Sequence, residues 1–396
     1  MTDPVTVATG ITYDRRHIHH WLFSRNRDTC PVTNQTLAVK DLTPNLTLRR
    51  LIHSWSTTAN YPIAPIHIKS HISQLLAAAA AESTSPTPQL IDSLSRLHSV
   101  AAESEPSRIQ LRARSTAGFL ASVVIANSFL EVGVEADHMR SRAVDESLAI
   151  LHHIGLADSD LKKLGTEFVD SLVRVMENYS NSKRDHHQSR AYATILLRSA
   201  FRAAEPIQLV NARSEIFAAV VSVLKDRISE SATKAALKFL IEVSPWGRNR
   251  IKAVEGGAVA ALIELLLESD HCSSAARRAT ELAMRGVEVM CGCAEGRAEV
   301  VGHAAGLAVV SKKMLRVSHA ATDGAVRIVA AVSRYSATKG VVAEMAEVGV
   351  VAKLCLLLQV DVSWKSKEKA REVLRAHSRA WRNSPCIPPH LISSFP

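Results

Sequence analysis

The sequence predicts a mainly α-helical protein in which a small α+β domain precedes a long α-solenoid. Hydrophobic residues make up 47% of the 396 residues but aromatic residues only 5%. A composition rich in Ala, Leu and Val and poor in aromatic residues favours helices over β architectures. From Gln89 onward, apolar residues recur at helical spacing with short breaks, for example at Leu148, Leu151 and Ile154.

The first 58 residues follow a different pattern, which predicts the small α+β domain. Short apolar runs on either side of Gly10 predict a hairpin, because glycine can adopt the positive φ of a tight turn. Asp14 is positioned to cap a helix that carries Ile18, Trp21 and Leu22 on one face. The polar residues that follow predict a loop.

A rigid tip and a second helix complete the small domain. Pro31 fixes φ directly after Cys30 and gives the loop a rigid apolar tip. Pro44 precedes a helix whose apolar residues recur at i, i+3, i+4 and i+7, which is a one-sided amphipathic face. The predicted core of the domain comprises Tyr13, Ile18, Leu22, Leu48, Leu51, Ile52 and Trp55.

The histidines of the first helix raise the question of a metal site. His17, His19, His20 and Cys30 lie close together in sequence, but a zinc site of the usual kind would need a cysteine pair that is absent here. A surface clamp by His17 and His20 stays open, although a solvated basic helix face is the favoured interpretation. We therefore expect neither a metal nor a cofactor. Polar networks and salt bridges would stabilise the domain instead, with candidates Asp14, Arg15, Asp28, Asp41 and Arg49.

Four motifs of this domain carry a family resemblance. They are Thr12-Tyr-Asp-Arg15, a helix ending in Trp21-Leu22, Cys30-Pro-Val-Thr33, and Leu42-Thr-Pro-Asn45 continuing to Trp55. In this order they resemble the U-box, the zinc-free relative of the RING domain in one class of ubiquitin ligases. The resemblance implies that the domain docks a ubiquitin-charged conjugating enzyme and promotes ubiquitin transfer to lysines without forming a covalent intermediate.

The resemblance also assigns docking residues. Trp21 would belong to the central helix of the docking surface, and Cys30, Pro31 and Val32 would form its second loop. Asn34 falls where several relatives carry a basic residue or Gln that hydrogen-bonds both the conjugating enzyme and ubiquitin. The first docking loop of the family precedes the strand that follows Asp3, so the U-box is expected to be N-terminally incomplete in this sequence. A non-catalytic adaptor or decoy is therefore the alternative function.

The long helical region contains internal repeats. Gly257, Gly306 and Gly349 each follow a short helical segment and precede a longer apolar one, and they lie 49 and 43 residues apart. Periods in the forties with three-helix units are typical of armadillo or HEAT arrays. The segment that begins at Asn249 is similar to the armadillo consensus, while the register upstream of Ser244 is not resolved. The whole chain resembles the plant U-box/armadillo ligases, which implies that the repeats bind the protein substrate.

These patterns give a domain plan and an expected compartment. The predicted boundaries are residues 1–58 for the U-box, 59–88 for a Pro-containing linker with a short helix, 89–380 for the solenoid and 381–396 for a disordered tail. The six cysteines have no disulfide-framework spacing, and no apolar run reaches the ~18 residues of a membrane span. We expect a reducing compartment, the cytoplasm or also the nucleus. Cys291 and Cys293 are interpreted as buried thiols rather than a metal or redox pair.

The net charge of +10 makes nucleic acid a second class of partner to consider. Basic residues that could line the solenoid are Arg198, Arg202, Lys234, Lys238, Arg277, Arg278, Lys312 and Lys313. A charged row on a helix is most often a solvated face, so these residues are assigned no site. Nucleic-acid binding is disfavoured because aromatic stacking residues are few. The expected partners are a ubiquitin-charged conjugating enzyme, a protein substrate and a second U-box. The sequence contains neither a phosphate-binding loop nor a nucleophile elbow, so it does not predict a conventional enzyme.

Overall fold

The computed structural model describes residues 3–25, 27–37, 41–58, 66–81, 84–112, 116–128, 135–178, 186–269 and 273–381. For residues 53–58, 66–71, 81 and 135–137 it describes the helical backbone alone. The predicted tail after Trp381 and the start of the predicted linker, residues 59–65, lie outside the described residues. Two hydrophobic cores are present, a small one between Val5 and Leu37 and a long one between Ile72 and Trp381. The predicted mainly α fold with a small α+β domain is confirmed.

The small domain is built on a three-stranded antiparallel sheet. The strands are β1 (Pro4–Thr6), β2 (Thr12–Asp14) and β3 (Thr43–Pro44), in the order β2-β1-β3. Gly10 has φ +79° and closes the predicted turn between β1 and β2 with a hydrogen bond from its N–H to the carbonyl of Val7. The sequence does not predict β3, because a two-residue exposed strand that contains proline has no alternation to detect.

Two helices pack beside the sheet. Helix α1 (Arg15–His19) continues into a π-helical turn (His20–Ser24), and α2 spans Leu46–Thr58. Asp14 caps α1 as predicted. At the start of α2 the Asn45 side chain accepts a hydrogen bond from the N–H of Leu48, and its amide donates to the hydroxyls of Thr6 and Thr12. This residue therefore fastens α2 to the sheet.

The predicted core of the small domain is correct in part. Ile18 and Leu22 are buried, and Tyr13, Leu48 and Ile52 are half-buried. The prediction for Leu51 is wrong, because α2 directs this side chain outward and leaves it 61% exposed. The side chain of Trp55 lies outside the part of the chain that the structure describes. The remaining core positions are filled from strands and loops, by Val5, Val7, Cys30 and Leu37.

Ion pairs hold the first strand to both helices. Asp3 accepts a charge-assisted hydrogen bond from Arg15 at 2.6 Å and lies 3.9 Å from the guanidinium of Arg49. The sequence predicts that Arg15 and Arg49 form ion pairs, but it does not identify Asp3 as the carboxylate that they share. His17 and His20 are exposed, and within the described residues no group of three potential ligands is placed to hold a metal ion.

The rest of the described chain forms an α-solenoid. Its helices are α3 (Ile66–Ala81), α4 (Pro88–Glu103), α5 (Glu105–Arg112), α6 (Thr116–Asn127), α7 (Glu135–Ile154), α8 (Asp158–Asn178), α9 (His187–Ala203), α10 (Pro206–Val210), α11 (Ser214–Asp226), α12 (Glu230–Val243), α13 (Gly247–Glu255), α14 (Ala258–Glu268), α15 (Ser274–Met290), α16 (Ala294–Gly302), α17 (Gly306–Lys313), α18 (His319–Tyr335), α19 (Lys339–Glu347), α20 (Val350–Gln359), α21 (Trp364–Ala376) and α22 (Ser378–Trp381).

These helices stack in three-helix units. The clearest units are α10 to α12, α13 to α15, α16 to α18 and α19 to α21, so the register also continues upstream of Ser244. Further upstream, Gly165 with φ +69° breaks α8 into two segments that serve, with α9, as one unit. The third helices contact one another in the order α4, α7, α9, α12, α15, α18, α21, which we call the third-helix layer. Helices α8, α11, α14, α17 and α20 form a second layer.

The first solenoid helix corrects the predicted linker. Helix α3 lies within residues 59–88, yet Ile72 and Ala79 are fully buried in the long core and α3 packs against α4. The small side chains of its alanine run, Ala77 to Ala81, suit close approach of two helices. The solenoid therefore includes α3 instead of beginning at residue 89.

The turn glycines have two different physical causes. Gly257 and Gly349 adopt φ +83° and +77° at the start of α14 and α20, as the repeat pattern predicts. Gly306 has an ordinary φ, but a Cβ at this position would overlap the carbonyl oxygen of Val300. Both causes allow the first helix of a unit to turn sharply into the second.

Candidate functional site

The predicted docking loop is a tightly closed turn. Thr29 and Thr36 form an isolated antiparallel bridge at its base. Inside the turn, the N–H of Cys30 donates to the carbonyl of Gln35 at 2.9 Å, and the N–H of Asn34 donates to the carbonyl of Cys30 at 2.9 Å. Asn34 adopts a left-handed conformation with φ +55°, which asparagine tolerates better than most residues. The loop is thus fixed by its own backbone.

The Cys30 thiol is the centre of a polar network beneath this loop. Its sulfur lies 2.9 Å from the Tyr13 hydroxyl and accepts a hydrogen bond from the Thr9 hydroxyl at 3.3 Å. The N–H of Val32 donates to the Tyr13 oxygen at 3.3 Å, so the network reaches the tip of the loop. Burial raises the pKa of the Cys30 thiol, but hydrogen bonds from Thr33, Thr9 and Tyr13 outweigh burial and lower the pKa to about 6.

Tyr13 has the complementary electrostatics. Burial and the hydrogen bond to Cys30 raise the pKa of its phenol to about 12, which favours the protonated phenol as the donor in the 2.9 Å contact with the sulfur. Cys30 itself is fully buried. The prediction that its side chain belongs to the docking surface is therefore wrong, because a partner cannot reach it. Its place in the site is to hold Tyr13 and, through Tyr13, the tip at Val32.

The exposed tip carries the other predicted docking residues. Pro31 is half-buried, whereas Val32 is 67% exposed and Asn34 is exposed. An exposed aliphatic side chain on a loop that is held from below offers a rigid apolar contact point. The Asn34 side chain beside it has both donor and acceptor groups.

The π-helical turn brings an aromatic side chain next to this loop. The indole N–H of Trp21 donates to the carbonyl of Thr29 at 2.9 Å, and the Arg27 guanidinium lies 6.0 Å from the indole ring centroid. Phe23 is 48% exposed on the same turn and stacks with His19 at a centroid distance of 4.6 Å. Sequence reasoning missed Phe23, because helical spacing from Ile18 does not account for the wider π turn.

The basic residues named from the sequence divide between two locations. Arg198 and Arg202 lie on α9, Lys234 and Lys238 on α12, and Arg277 and Arg278 on α15, so six of the eight belong to the third-helix layer. The other two, Lys312 and Lys313, lie on α17. Lys313 is buried and donates to the carbonyl and hydroxyl of Ser269 at 2.8 and 2.9 Å.

Two further sequence expectations concern cysteines and membranes. Burial raises the pKa of Cys291 to about 12 and also raises that of Cys293, which disfavours reactive thiolates at this pair. Within the described residues, every helix is too short or too polar to cross a bilayer.

Comparison with known proteins identifies both parts of the chain. Residues 1–60 match the U-box domain, and residues 69–395 match the plant U-box protein ARM repeat region. In Arabidopsis thaliana, E3 ubiquitin-protein ligase PUB23 is 42% identical over 100% of this chain and 94% of its own length. E3 ubiquitin-protein ligase PUB22 is 41% identical over 100% of this chain and 95% of its own, and PUB24 is 33% identical over 98% and 91%.

A U-box followed by stacked three-helix repeats defines the class of U-box ubiquitin ligases with an armadillo solenoid. The chain belongs to the plant U-box family and is an E3 ubiquitin-protein ligase with U-box and armadillo repeats. Membership implies that the U-box binds a conjugating enzyme and that the repeats bind protein.

Proposed function

We propose that the tip of the loop at residues 30–35 and the adjacent π-helical turn dock a ubiquitin-charged conjugating enzyme. The observation that carries this proposal is the exposed Val32 on a backbone that Tyr13 anchors to the buried Cys30. Pro31 precedes Val32 in the loop, and the indole of Trp21 is hydrogen-bonded to the carbonyl of Thr29 at the base of the loop. Phe23 is exposed on the same π-helical turn as Trp21. Apolar anchors that are ordered before binding lose little entropy on docking.

The transfer step requires no nucleophile from this domain. Cys30 is the only cysteine of residues 1–58, and it is fully buried, so it cannot accept ubiquitin as a thioester. The substrate amine instead attacks the thioester carbonyl on the conjugating enzyme directly. An amide bond forms, the thioester bond breaks, the thiolate of the conjugating enzyme leaves and the amine nitrogen loses a proton to solvent. The docked surface contributes by holding the thioester in a conformation that the amine can attack. Asn34 contributes a hydrogen bond between the two docked proteins.

The solenoid would hold the substrate protein in the same complex. Stacked repeats present a long continuous surface that suits extended or folded protein partners. A protein substrate bound there brings its lysines within reach of the thioester. We also infer a reducing compartment, the cytoplasm or the nucleus, because the cysteine spacing forms no disulfide framework.

An autoubiquitination assay of the full chain with a panel of conjugating enzymes tests the docking proposal. We expect a ubiquitin ladder with at least one enzyme and loss of most of it in Pro31→Ala, because the tip loses its rigid apolar residue. Pro206→Ala, at an exposed proline that begins α10, serves as the matched control and should keep the ladder. The absence of a ladder with every enzyme would favour the non-catalytic adaptor, and an unaffected Pro31→Ala variant would refute the docking site.

We further infer that two U-boxes associate through α2. Leu46 and Leu51 are 58% and 61% exposed on this helix, and a second copy of the domain could remove these side chains from water. Leu51→Asp should shift the full chain toward monomer in sedimentation velocity, whereas a wild-type protein that is already monomeric at high concentration would contradict the inference.

A further inference from the structure

A groove with charged residues in its lining opens on the third-helix layer between α15, α18 and α21. Its volume is about 690 Å³, and its charged lining comprises Arg297, Arg327, Arg334, Lys369, Glu288 and Glu372. Four cations thus face two carboxylates. The groove belongs to the solenoid and is separate from the docking loop of the U-box.

Glu288, one of the two carboxylates, is ion-paired through Oε1, while its buried Oε2 has no hydrogen-bond partner among the described residues. The Glu288 side chain is 12% exposed and accepts a hydrogen bond from Arg327 at 2.7 Å and another from Arg285. Arg334 and Lys369 have no carboxylate partner among the described residues. The groove therefore retains net positive charge on side chains that are free to meet a ligand.

An exposed tyrosine lies among these cations. Tyr335 is 63% exposed, and the guanidinium carbons of Arg297 and Arg334 lie 4.9 and 5.4 Å from its ring centroid. Arg297 also donates to the carbonyl of Cys291 and to the hydroxyl of Ser336, so its position is fixed from two sides. The tyrosine ring offers an apolar platform bordered by ordered positive charge.

Positive charge continues along the layer toward α12. A second pocket of about 380 Å³ between α12 and α15 is lined by Lys234 and Arg278. Burial and the nearby charges of Arg198, Lys234 and Arg278 lower the pKa of Lys238. Glu230 also lines this pocket and Glu242 pairs with Arg198, so the excess positive charge rests on Lys234, Lys238 and Arg278. Carboxylates of a ligand would stabilise that excess.

We propose that the groove binds an extended acidic segment of the substrate protein, with carboxylates beside Arg334 and Lys369 and an apolar side chain on Tyr335. The proposal rests on the substrate-binding role that we assign to the solenoid. Three neighbouring helices with an interaxial spacing of ~10 Å span roughly 20 Å, which an extended segment of about six residues covers. A peptide fits better than a nucleic acid, because Glu288 and Glu372 would oppose a dense row of phosphates. Among the described lining residues, Tyr335 is the one Phe, Tyr or Trp that could stack on a base.

Fluorescence anisotropy with the full-length protein tests this assignment. The probe is a fluorescein-labelled peptide of repeated Glu-Glu-Leu-Gly units, compared with a Lys-Lys-Leu-Gly peptide and a single-stranded oligouridylate. We expect saturable binding of the acidic peptide that weakens as salt is added, and no binding of the basic peptide. Arg334→Glu combined with Lys369→Glu should weaken acidic-peptide binding by about tenfold or more.

A matched double variant controls for the change in net charge. Lys312→Glu combined with Arg316→Glu makes the same substitutions at exposed positions on and directly after α17, and it should leave the affinity within about twofold of wild type. Equal weakening in both double variants, or no binding of the acidic peptide to wild type, would overturn the proposal. Tighter binding of the oligouridylate that depends on Arg334 and Lys369 would also overturn it in favour of a nucleic-acid groove.

The ubiquitin ladder separates this inference from the ligase mechanism. All four substituted positions lie in the solenoid, so autoubiquitination should persist in both double variants. A ladder without acidic-peptide binding refutes the groove assignment alone. A missing ladder in wild type with intact peptide binding refutes the docking proposal and leaves the groove standing.

Discussion

Cys30 and Tyr13 show how single residues can order a small domain, in which the described side chains form a core of six buried hydrophobic residues. A small domain usually needs a stabilising element besides its hydrophobic core. Here that element is a buried sulfur that accepts hydrogen bonds from side chains of three separate segments. Thr9 comes from the hairpin turn, Tyr13 from β2 and Thr33 from the loop itself. Because these contacts converge on one atom, the charge of that atom affects the stability of the whole loop.

The charge of Cys30 predicts a pH dependence. Its folded pKa of about 6 lies below its ordinary value of 9.0, so the stabilisation is fully present above pH 9 and is lost as the pH falls through 6. We expect the melting temperature of the U-box transition to rise between pH 6 and 9 in scanning calorimetry. The Cys30→Ser substitution keeps the size of the side chain but removes its titratable thiol. It should therefore reduce the rise in melting temperature.

Cys355 provides the control for that experiment, because burial raises the pKa of this thiol instead of lowering it. Cys355→Ser should leave the rise in melting temperature in place. An identical pH slope in wild type and Cys30→Ser would show that Cys30 is an ordinary thiol.

Neighbouring repeats are joined by a recurring polar contact between elements. The ammonium of Lys252 donates to the carbonyl of Ala212 at 2.6 Å, that of Lys313 to Ser269 at 2.8 Å, and that of Lys353 to the carbonyl of Ser311. Each lysine lies 40 to 44 residues after its acceptor, which is one repeat. The three acceptors lie at or near helix ends, where carbonyls often lack a helical partner, and the Ser311 carbonyl also accepts from the N–H of Met314.

Lys313 allows this role to be measured. Lys313→Met should lower the free energy of unfolding by about 1–3 kcal/mol, because the Ser269 carbonyl and hydroxyl lose their buried partner. Lys312→Met changes the exposed neighbouring residue and should have little effect. Urea denaturation followed by circular dichroism compares the two variants, and equal midpoints would contradict a structural role for Lys313.

Patterns within one helix or one turn were predictable at the element scale. The positive φ of Gly257 and Gly349 follows from the repeat, because the constraint belongs to a single residue. The sequence predicts a linker at α3 because an alanine run has little amphipathic pattern. The burial of Ala79 comes from packing against α4, which local sequence does not reveal. The repeat register upstream of Ser244 is hard to predict for a similar reason. Gly165 breaks α8, so that one apparent helix supplies two of the three helical segments of a repeat.

Side chains that meet from distant positions were the hardest to predict. The exposed tip at Val32 follows from the motif, whereas the burial of Cys30 depends on Tyr13 and Thr9, 17 and 21 residues away. The groove was missed for the same reason. Tyr335 and Lys369 belong to different repeats, and only helix stacking brings them to one surface.

At the scale of the whole molecule, each of the two described hydrophobic cores supports one of the two proposed binding surfaces. The small core supports the loop that we propose as the docking site, and the long core supports the third-helix layer with its groove. A substitution on one part should therefore leave the chemistry of the other intact. This separation makes it possible to test docking without disturbing substrate binding.

Single-turnover discharge of a ubiquitin-charged conjugating enzyme onto free lysine measures docking without any substrate protein. We expect the full-length protein to accelerate loss of the thioester, and Val32→Arg to reduce that acceleration by about tenfold or more, because a charge replaces the apolar tip. Ile207→Arg makes the matched change at a solenoid residue that is 70% exposed, against 67% for Val32, and it should behave as wild type. Discharge by Val32→Arg at the wild-type rate would contradict the assignment of this loop as the docking site.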